Sequence, residues 1–279
     1  MIDAILAPFT FDFMVRGFIA ALVVGALCST IGTYVVLRRL SFIGDGIAHA
    51  SFAGIVIAYM RGANYYVGAA VVAVVTALGI GYVHRKGNVS LDTTIGVLFT
   101  GAFALGVFLM SRLRSYSVDL QDYLFGNILG VSSEDLYLIL GLAALVCLIL
   151  TIYFRPLIYT SFDPVVAEAS GVPAARIDYI LLVILALTII VSISAVGIIL
   201  VAALLVTPAA SAFQLTRRFN RMMVLSAAIG AFCAVGGLYS SYYLNAASGA
   251  TIVLLATLIF FASMGISRVR ASVSKGRAG

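Results

Sequence analysis

Apolar residues run through this chain in blocks about twenty residues long, and polar residues collect in the short links between them. The blocks cover residues 17–37, 40–60, 65–83, 93–110, 136–154, 177–213, 224–244 and 250–266. A helix satisfies its own backbone groups and rises 1.5 Å per residue. A run of about twenty apolar residues therefore predicts one helix through a hydrocarbon core roughly 30 Å thick. The sequence lacks the alternation of a membrane barrel. The predicted fold is an all-α polytopic integral membrane protein, a single domain over residues 1–279, with no low-complexity tract or convincing internal repeat.

One block is too long for a single span. Residues 177–213 would make a helix of about 55 Å, well beyond the core thickness. Breaks are predicted at Gly197 and at Thr207-Pro208, because glycine reaches backbone conformations closed to other residues and proline removes an amide donor. The chain would make one span to about Ala195 and a shorter, interrupted element back towards Arg217, Arg218 and Arg221. Such an element either lines a cavity or is a plain pair of spans with a kink. If it crosses, there are nine spans; if 198–213 is re-entrant, there are eight.

Charge gives the orientation. Nine crossings with the N-terminus outside and the C-terminus inside leave Arg16, Arg61, Arg112 and Arg114 outside and put the other thirteen Lys and Arg in cytoplasmic segments. The eight-crossing path moves Arg217, Arg218 and Arg221 outside, so nine is preferred. Asp3 and Asp12 stand where a signal peptide carries basic residues, and the first block is too long for its apolar core. That block is expected to remain as a span. Tyr59, Tyr65 and Tyr66 fall at the outer interface.

Composition excludes other classes. The chain is 63% hydrophobic and 10% charged, with mean hydropathy +1.15, far from a soluble domain. Its net charge of +6 is dispersed among links, so no nucleic-acid partner is expected. Cys28, Cys147 and Cys233 are isolated and read as small core residues. There is no G-x-x-x-x-G-K-[ST] loop, the only lysines are Lys86 and Lys275, and no H-E-x-x-H occurs. An enzyme is not expected, and His84, beside Arg85 and Lys86, reads as interfacial.

The candidate chemistry lies in residues 40–60, where Asp45 and His49 sit inside an apolar run. Four residues apart on a helix, they project from one face, with Ala53 extending the stripe and Gly46, Ala50 and Gly54 forming a small-residue stripe beside it. Ionisable groups in hydrocarbon are costly and mark function by default. Two readings stand. The pair either fixes helix packing, or it binds a passing cation for which carboxylate and imidazole suit Mn, Zn or Fe(II). By the helical rise, His49 lies roughly 13 Å along the axis from Leu40, near mid-membrane.

A second feature is the link 155–178. Asp163 can cap a helix, Pro164 fits its first position, and Gly171 fits the position after its end, with Pro173 following. A short helix over 164–170 is predicted, presenting Ala167, Ala169 and Ser170 as small exposed residues beside Glu168. Residues 132–135 read as a capping box for the span that follows them.

The sequence resembles the ABC-3 family, the permease subunits of bacterial ABC importers for manganese, zinc or iron. The resemblance rests on SFIGDGIAHASFAG (41–54), LDTTIGVLF (91–99), DLQDYLFGNIL (119–129), FDPVVAEASGV (162–172) and VAALLVTPAASA (201–212), with GLYSSYYLNAASGATIVL after them. It implies a homodimeric domain in the bacterial inner membrane, served outside by a metal-binding solute receptor and inside by two copies of an ATPase. The metal ion is then transported substrate, with no permanently bound cofactor. The family's acidic/histidine motif falls on Asp45 and His49. Its cytoplasmic coupling helix falls on residues 162–172, with Phe162, Asp163, Pro164, Ala167, Glu168, Ser170 and Gly171 expected to meet the ATPase. Asn245 stands where an acidic residue is expected in many relatives, and is left out of the metal site. An importer of a metal chelate such as cobalamin or a siderophore, and a proton-coupled secondary transporter using Asp45 and His49 as a relay, remain the alternatives. A purely structural scaffold gives no reason for ionisable groups in mid-helix.

Overall fold

The computed structural model describes residues 7–113 and 128–276. Residues 119–127 of the motif 119–129, together with Asp3, Arg114 and Arg277, lie outside the described residues. The helices are α1 (Asp12–Leu37), α2 (Ile43–Arg61), α3 (Tyr65–Lys86), α4 (Leu91–Ser111), α5 (Ser133–Ile152), α6 (Phe154–Phe162), α7 (Pro164–Ala169), α8 (Ala174–Leu215), α9 (Phe219–Leu244) and α10 (Ser248–Gly276). Among the described residues, nine helical segments are long and apolar enough to cross a membrane, with α8 supplying two of them.

Local signals set most of the boundaries. The Asn64 side chain accepts from the amides of Tyr66 and Val67 to start α3, and Ser90 accepts from Thr93 to start α4. Ser132 and Asp135 form the expected capping box at α5, each side chain accepting from the other's amide. Gly62, at φ +62°, closes α2 in the left-handed conformation.

The long block folds back on itself. Gly197 alone departs from helical dihedrals inside α8, at φ 76° and ψ 169°, a region that is essentially glycine-only. Asp178, near the start of α8, is bonded to Arg38 at the end of α1. Residues 214–217, at the end of α8, share a cavity with Leu37, also at the end of α1. Both ends of α8 therefore lie at one end of α1, and the two arms, Ala174–Ile193 and Ala195–Leu215, form a hairpin that turns at Gly197. The second arm is a full span, which supports nine crossings over eight. Arg217 and Arg270 line that same cavity and so lie on the same side as Arg38.

Thr207-Pro208 does not break the chain. Pro208 lies inside the returning arm, and helical dihedrals continue through it. Proline has no amide to give the carbonyl of Leu204, four residues before it. The Ser29 hydroxyl of α1 donates to that carbonyl instead, at 3.1 Å. A neighbouring helix repairs the defect, as happens where helices pack closely in membranes.

The hairpin, α1 and α2 form the buried centre, with about two thirds of each span's apolar window inside the protein, whereas α4, α5 and α10 are mostly at the periphery. Missing side chains let backbones meet. A Cβ at Gly32 would fall 1.8 Å from the carbonyl of Leu205, and one at Gly54 would fall 2.1 Å from that of Gly68. The small-residue stripe of α2 thus seats α3 at Gly54, and at Gly46 it faces Ile95 of α4.

Candidate functional site

Helix α2 brings Asp45 and His49 together as their spacing predicts. His49 Nδ1 lies 2.9 Å from the backbone carbonyl of Asp45 and 3.3 Å from its Oδ1. A carbonyl oxygen can only accept, so Nδ1 carries a proton, and in the neutral ring Nε2 keeps its lone pair. The carboxylate consequently lies on the protonated edge of the ring. In this arrangement Asp45 orients His49, and Nε2 is the nitrogen free to meet a cation.

Helix α4 forms one wall. The rings of Phe99 and Phe103 lie 6.0 and 5.8 Å from the imidazole, and Phe103 also packs on Phe52, one turn beyond. Gly106 of α4 comes so close to Phe52 and Ala53 that a Cβ there would contact Ala53 backbone at 3.0 Å. Yet the pair is not sealed. The side chains of His49 and Asp45 retain 26% and 47% of their exposure within the single chain. Packing within the single chain leaves both groups partly open.

The ligand set is small. Among the described residues no group of three or more His, Cys, Asp or Glu converges on one point. A transition-metal ion takes four or more ligands, so a cation here would draw the remainder from water, backbone carbonyls or a second chain. Asn245 ends α9 in the left-handed conformation at φ 49°. Asparagine adopts that conformation more readily than most side chains, which accounts structurally for the residue at that position.

The short helix of the 155–178 link forms as predicted. Asp163 accepts from the amides of Val165 and Val166, each at 3.0 Å, with Pro164 in the first turn. Gly171 follows at φ +83°, and the Val172 amide closes the end on the Ala167 carbonyl. Ala167 corrects the sequence reading. It is 3% exposed because it faces inward beneath its helix, so the outward surface is made by Phe162, Val165 and Val166, beside Glu168, Ala169 and Ser170. Three large apolar side chains on the polar end of a bundle mark a contact surface.

The sequence reading missed a charged knot beside this helix. Asp178 Oδ1 accepts from Arg38 Nη1 at 2.5 Å, and Oδ2 accepts from Arg85 Nη2 at 2.7 Å. Arg38 also donates from Nη2 to Thr160 Oγ1 at 2.6 Å and from Nε to Ser161 Oγ at 2.9 Å. From sequence alone the arginine side chains at the basic end carry only an orientation signal. The available signal was Asp178, an acid placed just ahead of an apolar block on the side where arginines gather.

Asp45 stands in the first turn of α2 and His49 one turn further in. Ionisable groups left partly open inside a span, on helices packed around a hairpin, fit a membrane permease, a protein that passes a solute across the bilayer. The family model described as "ABC 3 transport family" matches residues 10–267, and the chain belongs to that family. It is 44% identical over 251 residues to the manganese transport system membrane protein MntC of Halalkalibacterium halodurans, covering 90% of this chain and 86% of that one. It is 37% identical over 257 residues to the manganese import system permease protein ScaB of Streptococcus gordonii, covering 92% of each. Among solved structures, PsaBC from Streptococcus pneumoniae in complex with Fab superposes with a TM-score of 0.84 at 36% identity, over 94% of this chain and 95% of that one.

Proposed function

We propose that this chain is the membrane-spanning permease of an ATP-driven importer for a divalent transition-metal ion. The observation that carries the reading is the Asp45–His49 pair, with Nε2 free and both side chains open inside a span. Manganese is the favoured ion, on the names carried by MntC and ScaB; zinc and iron suit the same two ligand types. The end bearing Arg38, Arg85, Arg217 and Arg270 faces the cytoplasm of a bacterial cell and the start of α1 faces outward, in keeping with the positive-inside rule.

A solute receptor delivers the ion at the outer face, and a second copy of the chain completes the ion's coordination shell. At the inner face, Phe162, Asp163, Pro164, Glu168, Ser170 and Gly171 belong to a coupling helix that docks on an ATPase dimer, which supplies the energy. His49 Nε2, oriented by Asp45, and its counterpart in the second copy hold the ion weakly enough to release it, and ATP binding, acting through α7, switches access between the two faces.

The test is uptake by proteoliposomes carrying the permease, its ATPase and its receptor. Manganese, zinc, iron and cobalamin are offered in turn to the native chain and to His49→Ala. ATP-dependent accumulation of a free ion, lost in the variant, is the expected result. Accumulation of the chelate alone, uptake indifferent to His49, or uptake without ATP overturns it.

A further inference from the structure

Helix α7 is short, and it is joined to α8 by the turn 170–173. A displacement of so small an element reaches the spans only through what grips it. Helix α7 itself rests on the bundle through the small side chain of Ala167. On its N-terminal side it continues from α6, whose apolar face packs through Leu157 and Phe162 and whose directional, polar grip lies at one end. Thr160 and Ser161, in its last turn, both receive hydrogen bonds from the Arg38 guanidinium. That same guanidinium is paired with Asp178 at the foot of the first hairpin arm, and Asp178 is paired in turn with Arg85 at the foot of α3.

We propose that the Arg38–Asp178 knot is the joint that carries movement of α7 into the membrane, with Arg38, Thr160, Ser161 and Asp178 acting as positioning residues for transport. The inference rests on the ATP-driven importer reading. Three features support it. The partners lie 122 to 140 residues apart in sequence, so the knot has no local folding role of the capping kind. Arg38 is well buried, with 13% of its side chain exposed; a planar guanidinium there binds several acceptors at fixed angles, which an ammonium cannot do. Finally, a cavity of about 320 Å³ borders Arg38, Arg85, Asp178, Thr160 and Ser161, and Pro164, the first residue of α7, lines it too. That opening beside the joint gives α7 room to shift while the charged contacts persist. Helix α1 runs from this knot to Ser29 and Gly32, where it meets the returning arm, so a shift at Arg38 is passed to both arms of the hairpin.

The experiment uses the reconstituted complex of permease, ATPase and receptor, and reads ions transported per ATP hydrolysed. Thr160→Val with Ser161→Ala removes the grip on α6 while leaving the ion pairs. Arg38→Lys keeps a charge for Asp178 and loses the fork. Both variants are expected to assemble with the ATPase, to retain the native melting temperature within a few degrees and to keep hydrolysing ATP. Transport per ATP should fall about tenfold, within the usual span of coupling between sites. Native transport per ATP in both variants overturns the proposal, as does a loss that merely tracks the fraction of folded complex. If the native complex shows no ATP-dependent accumulation of a metal ion, the importer reading fails instead, and the two failures are told apart by that control.

Discussion

The Ser29 hydroxyl donates to the Leu204 carbonyl at 3.1 Å, and Leu204 is the residue whose helical partner Pro208 removes. The contact lies where three helices cross. Ser226 of α9 donates to the backbone carbonyl of Ser29 at 2.6 Å, and Gly230 leaves no room for a Cβ beside the Ser29 side chain. A buried carbonyl left without a donor costs about 1–3 kcal/mol. Ser29→Ala should therefore lower the melting temperature of the detergent-solubilised chain. Pro208→Ala restores an amide for Leu204, so the double variant should recover most of that loss. Equal losses from Ser29→Ala with and without Pro208 would sink this account.

Gly197 carries the reversal of the hairpin. Its dihedrals lie where a Cβ is sterically refused, so Gly197→Ala should destabilise by about 1–3 kcal/mol. Gly96 is the control. It is helical, and a Cβ there meets nothing within 4 Å, so Gly96→Ala should be neutral or stabilise by up to about 1 kcal/mol. Thermal unfolding of both variants in one detergent decides the matter, and matching midpoints would refute a special role for Gly197.

The surface of α7 gives a prediction that depends on which face each side chain occupies. Val165 and Val166 point outward and Ala167 points inward. Val165→Arg and Val166→Arg should leave the permease folded and abolish its co-purification with the ATPase. Ala167→Arg should instead cost stability, because the charge is forced beneath the helix. Retained ATPase binding by both valine variants would remove the docking assignment.

Features written in a few adjacent residues were legible without coordinates. Asp163, Pro164 and Gly171 specify α7, residues 132–135 specify the start of α5, and Gly197 marks the hairpin turn, because caps and dihedral preferences act locally. What escaped depends on distant partners. Pro208 reads as a breakpoint until Ser29, 175 residues from Leu204 in the chain, supplies the missing donor. Ala167 reads as exposed on a small polar helix, and only the packing of α7 onto the bundle buries it. Arg38 and Arg85 carry an orientation signal that conceals their pairing with Asp178. The site itself was half legible. Spacing placed Asp45 and His49 on one face, but not the Nδ1 contact that makes one residue the orienter of the other.

That division of roles leads to a quantitative expectation for the site. If Asp45 orients His49 and Nε2 is the ligand, the two residues are not equivalent. Asp45→Asn keeps one oxygen that can face Nδ1, and replaces the other and the charge with a neutral NH2; changes to partners of this kind typically cost 10–100-fold in metal affinity. His49→Ala removes the ligand and should abolish detectable manganese binding and uptake. Both variants should assemble normally, since neither side chain is needed to fill the core. Manganese titration of the purified chain in nanodiscs, beside uptake by the reconstituted complex, separates the cases. A graded loss for Asp45→Asn and complete loss for His49→Ala fit the orienter. Equal, complete losses would mean that the carboxylate turns from Nδ1 to bind the ion directly. Normal binding and uptake by both would return the pair to helix packing.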